Sequence, residues 1–69
     1  MVFVFKTSVK TKRQVKELKT HIDKILPRSK FHFDLEDCDN ILRIDSEENI
    51  IPTIINLLEF HNFDCEELE

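Results

Sequence analysis

From Lys30 to Ser46 the chain reads KFHFDLEDCDNILRIDS, and apolar and polar residues alternate on both sides of a short acidic break. Phe31, Phe33 and Leu35 alternate with His32, Asp34 and Glu36. Leu42 and Ile44 then alternate with Ile41, Arg43 and Asp45. A period of two marks a strand with one buried and one wetter face. Asp37-Cys38-Asp39-Asn40 holds no glycine, but Asn and Asp accept left-handed backbone and bond their own main chain. The stretch is therefore predicted to be a hairpin, and the rest of the chain has to pack around it.

The flanking segments supply the partners. Val2 to Phe5 is a continuous β-prone run, suited to a central strand. Thr11 followed by Gln14 fits a capping box at the start of a helix. Val15, Leu18, Ile22, Ile25 and Leu26 then form an apolar stripe, with Lys12, Arg13, Lys16, Lys19 and Lys24 off it. Pro27 disfavours helical backbone at Leu26 and ends that helix. Glu47 and Glu48 suit the positive end of a second helix, with Pro52 in its first turn. Ile50, Ile51, Ile54, Ile55, Leu57 and Leu58 cover an arc of about 160°, wider than one buried side requires, with Phe60 outside it. Asn62 is a candidate left-handed residue at the helix end. Phe63 to Glu67 reads as a last, acidic strand.

The order β-α-β-β-α-β is the split-βαβ, ferredoxin-like pattern. Right-handed crossovers would place both helices on one face of a four-stranded antiparallel sheet of order 4-1-3-2. Residues 1–69 are expected to form one such α+β domain, with the other sheet face open. A chain of 69 residues has stability on the order of 5 kcal/mol and little room for an enclosed pocket.

Composition excludes several function classes. With no glycine, the Gly-rich phosphate loops are out, because they need backbone without Cβ beside the phosphate. No apolar run is long enough for a membrane span, and a strand-like start at Val2 argues against a cleavable leader. Two cysteines, Cys38 and Cys65, far apart in the chain suggest reduced thiols in a cytoplasm rather than a disulfide framework. Charge is divided: residues 1–30 carry nine Lys/Arg against Glu17 and Asp23, a net +7. Residues 31–69 carry Arg43 against twelve acids, a net −11.

Along its whole length the chain resembles the heavy-metal-associated domains, the family of small copper chaperones and of metal-transporting ATPase repeats. The family's M-x-C-x-x-C motif follows the first strand. Here that place reads Lys6-Thr7-Ser8-Val9-Lys10-Thr11, with Ser8 and Thr11 at the two cysteine positions and Lys6 at the methionine. The hairpin, the Ile-rich continuation and the helix ending near Phe60, with Asn62 for the usual glycine, agree with the family. The resemblance thus implies the fold without the metal chemistry. Soft metals need thiolate or thioether ligands, which neutral hydroxyls do not replace, and the Lys6 ammonium would repel a cation.

Other candidate sites rest on a few residues each. Cys38, His61 and Cys65 cluster at one end in the expected topology and form an alternative Cys/His metal set. Against it, His61 falls on the apolar stripe, Cys65 points coreward, and Asp37 and Asp39 would raise the Cys38 thiol pKa. Glu36, Asp37 and Asp39 lie on an exposed turn, where nothing splits carboxylate pKa values for acid–base work. Ser8 has no neighbouring histidine. His21 and His32 read as surface residues. An RNA-recognition role would use open-face aromatics, but His32, Asp34, Glu36, Arg43 and Asp45 make that face acidic. A small-ligand module of the ACT kind shares the topology but uses glycine in its ligand loop.

The expectation is a non-catalytic cytoplasmic interaction module without cofactor, membrane or nucleic acid. Its partner is a second copy or an acidic protein. Phe3 and Phe5 are expected on the open sheet face, and Lys12, Arg13, Lys16 and Lys19 on the first helix, as the contact residues.

Overall fold

The computed structural model describes residues 1–36 and 40–68. Its elements are β1 (Val2–Thr7), α1 (Lys12–Ile25), β2 (Lys30–Asp34), β3 (Ile41–Asp45), α2 (Ile51–Phe60) and β4 (Cys65–Leu68). They make an α+β fold with an open four-stranded antiparallel sheet and two helices. The order across the sheet is β2-β3-β1-β4, or β4-β1-β3-β2 counted from the other edge. Asp37, Cys38 and Asp39 of the predicted turn lie outside the described residues. Asn40, at φ 50, takes the left-handed backbone expected of that segment.

Register decides which face is buried. Phe5 lies opposite Leu42 and Phe3 opposite Ile44, while across β3 the same two residues face Phe33 and Phe31. Directly paired residues share a face, so these side chains all lie on one side of the sheet. One core cluster combines them with Leu18 and Ile22 of α1 and Ile54, Leu57 and Leu58 of α2. Phe5 is fully buried and Phe3 is half-buried against the core. This corrects the expectation that Phe3 and Phe5 face away from the helices. Alternation alone leaves two choices of face, and pairing with β3 selects the opposite one. The outward residues of β1 are Val2, Val4 and Lys6.

Local signals set the helix ends. Thr11 Oγ1 accepts from the Gln14 N–H at 3.1 Å, and Gln14 Oε1 accepts from the Thr11 N–H at 3.2 Å, completing the capping box. The α1 stripe buries Leu18 and Ile22, leaves Val15 half-buried and exposes Ile25. At α2 the expectation for Glu47 and Glu48 is corrected. Neither lies in the first turn; Pro52 sits there, and Asn49 Oδ1 takes the Ile51 N–H at 3.1 Å. The wide apolar arc of α2 is also absorbed by the fold, since Ile51 and Ile55 pack half-buried against the core while Phe60 stands in solvent. The helix closes with the Phe63 N–H on Leu58 O (2.8 Å) and the Asn62 N–H on Glu59 O (3.0 Å), with Asn62 at φ 66. That is a Schellman ending, with Phe63 as its apolar contact. The last strand begins at Cys65 rather than Phe63.

Candidate functional site

The end of β1 and the loop after it are tied down at Thr7, Ser8, Val9 and Thr11. Thr7 is buried; its Oγ1 donates to Asn40 O at 2.8 Å and accepts from the Val9 N–H at 3.3 Å. Val9 is fully buried in the core. Ser8 Oγ accepts from the Asp64 N–H at 2.8 Å, and the Ser8 N–H reaches back to Asp64 O at 3.1 Å. Thr11 caps α1. Ser8 and Thr11, at the motif positions singled out in the sequence, therefore use their hydroxyls to hold the loop against the start of β4 and the start of α1. The roles of Thr7 and Val9 went unread, although both continue the odd-numbered positions of Phe3 and Phe5.

The described part of the Cys/His set is scattered in character. Cys65 is free and half-buried on the helix side of the sheet, opposite Thr7. Burial, and next the Glu59 carboxylate, push its thiol up to about 12, so it is a protonated small hydrophobe at neutral pH. His61 closes α2 and lies half-buried with its ring 4.3 Å from that of His21, while Phe60 meets it edge-on at 5.3 Å. His21 is thus a packing residue between α1 and the end of α2, rather than the free surface residue expected. Cys38 lies outside the described residues, and among the described residues no three His, Cys, Asp or Glu side chains gather as a metal site.

The open sheet face carries a charged ladder. Lys30 lies opposite Asp45, His32 opposite Arg43, and Lys6 opposite Glu66. Arg43 reaches Asp34 diagonally at 3.6 Å, and the terminal ammonium reaches Asp45 at 3.5 Å. Ile41, on this face, is nearly buried although it is outside the helix-side core. Val2 and Leu68, elsewhere on the same face, are exposed. All the phenylalanines of β1 and β2 lie on the other side, which leaves His32 as the ring these strands present on this face.

The surface of α1 is basic. Lys12, Arg13, Lys16 and Lys19 are all exposed, as the sequence predicts. Among the described residues the ion pairs are Arg43–Asp34 and Met1–Asp45, and no α1 cation takes part in one. The basic surface of α1 therefore stays distinct after folding, while on the open sheet face Lys6 and Lys30 interleave with acids of the second half. No described helix is long and apolar enough to cross a membrane. Comparison with family models, with curated proteins and with solved structures finds no match for this chain.

Proposed function

We propose that this chain is a ferredoxin-like, non-catalytic interaction module. It uses the heavy-metal-associated type of frame without that family's metal chemistry, and the exposed face of α1 docks an acidic protein surface. The observation that carries this is the row Lys12, Arg13, Lys16 and Lys19, exposed and, among the described residues, without an ion-pair partner. Opposite charge across an interface speeds and orients encounter more than it adds affinity, which suits a reversible module. The absence of phenylalanine from the open face, and its carboxylates Asp34, Asp45 and Glu66, favour a protein over a nucleic acid. The hydroxyls at Ser8 and Thr11, already engaged within the fold, support a loop without metal.

The test is an NMR titration with an acidic peptide such as oligo-glutamate, beside a single-stranded RNA of matched charge. Peptide shifts centred on residues 12–19 are expected, weakening about tenfold in the Lys12→Glu/Lys16→Glu variant. Peptide shifts centred elsewhere, or tighter binding of the RNA, would overturn this function.

A further inference from the structure

The sheet has an edge whose sequence matches itself. In the sheet β2 has one neighbour, β3, and the two run in unbroken register from Lys30–Asp45 to Asp34–Ile41. The Thr7 N–H bonds Asn40 O, and the Ser46 N–H bonds Met1 O. In an antiparallel ladder bonded pairs alternate with unbonded ones, so Leu42 and Ile44 turn their main chain to β1. Ile41, Arg43 and Asp45 then turn theirs to Lys30, His32 and Asp34 of β2. The main-chain groups of Phe31 and Phe33 are left pointing out along the free edge.

Natural edge strands are usually blunted by short length, proline, a bulge, charged side chains or a covering helix or loop. This one has neither proline nor bulge, and its charges are arranged in mirror order. Arg28 and Lys30 precede His32, and Asp34 and Glu36 follow it, all at even positions. We propose that a second copy of this chain pairs along β2, antiparallel about a two-fold axis at His32, so that the two sheets become one.

The arrangement satisfies three separate demands at once. It sets Phe31 of one copy opposite Phe33 of the other, so the outward main-chain groups of both meet in bonded pairs. It sets Lys30 opposite Asp34 of the second copy on the open face. On the helix side, Phe31 and Phe33, already edge-on within one chain at 6.2 Å, extend into a cross-strand aromatic row. A groove beside β2 is lined by Lys12, Val15 and residues 32–36. Shifting the axis to Phe31 or Phe33 keeps the main-chain match but loses the Lys30–Asp34 pairing. A two-fold pairing of β4 instead sets Glu66 and Glu67 against themselves. The joined sheet carries both α1 helices on one side, so the dimer doubles the basic surface of the function proposed above. The inference does not rest on that function.

Sedimentation and amide exchange test it on the intact chain. A concentration-dependent dimer is expected, in which the Phe31 and Phe33 amides gain protection with association while that of His32 is protected throughout. Lys30→Asp and Asp34→Lys should each weaken self-association about tenfold or more, by turning two attractions into repulsions. Because Asp34 also holds Arg43, its variant could weaken for reasons of folding. Mixing the two variants removes the ambiguity. The carboxylate introduced at position 30 of one copy then meets the ammonium introduced at position 34 of the other, and a heterodimer of near wild-type affinity is expected. A wild-type monomer at high micromolar concentration overturns the proposal. So does a dimer indifferent to these changes, or a mixture that fails to pair, and none of these results bears on peptide binding at α1.

Discussion

Cys65 shows how far a single residue's environment can be read from its position. Its alternation with Asp64 and Glu66 points it coreward, and the structure places it against Thr7 on the helix side. The consequence is a thiol that holds its proton to about 12 in the fold, against 9.0 for the ordinary group. A neutral form favoured by folding adds stability that is complete below pH 9 and is lost as pH rises through that interval toward 12. Urea midpoints at about pH 8 and about pH 10.5 should therefore fall further for the wild type than for Cys65→Ala; equal falls would refute the assignment. Other residues were less legible. Whether Phe3 and Phe5 or Val2 and Val4 face the helices depends on which strand β1 pairs with and in what register. No feature inside VFVF carries that information. His21 and His61 are far apart in the chain, and only the docking of α1 beside the end of α2 brings their rings together.

At the scale of elements, local rules did well where they are local in origin. The capping box at Thr11 and the stop at Pro27 involve neighbours within one turn, so the sequence contains every group that takes part. The start of α2 was misjudged for the complementary reason. Glu47 and Glu48 have the right charge for a helix N-terminus, but the Ser46 hydroxyl takes the Glu48 N–H at 3.2 Å and holds that pair in the preceding turn. The end of α2 gives a sharp check. Asn62 stands at φ 66, where a side chain larger than glycine is strained unless it is Asn or Asp. Asn62→Ala should destabilise by about 1 kcal/mol, and Asn62→Gly should be neutral or stabilising. Denaturant midpoints for both variants decide it, and an Asn62→Ala protein as stable as the Asn62→Gly one would contradict the geometry.

For the whole molecule, what sequence reading captured was the order of elements and the partition of charge, since periodicity and composition are properties of segments. What it missed was how the segments share surface. The broad apolar arc of α2 looked excessive for one chain, but the small body wraps Ile51 and Ile55 into the flank of its core cluster. The central position of β1 has a mechanical consequence. Val4 lies beside Leu68 in the antiparallel β1–β4 ladder, so both described ends of the chain leave the sheet at the same end. Tension applied at residues 2 and 68 would load the ladder one rung at a time and peel it, whereas tension at residues 10 and 68 would load all its rungs together. In an optical trap the first geometry should yield at clearly lower force than the second, with equal forces as the contrary result. Forced opening is governed by the unfolding barrier rather than by equilibrium stability. A protein anchored through these two ends would therefore give way early under load, however well its core is packed.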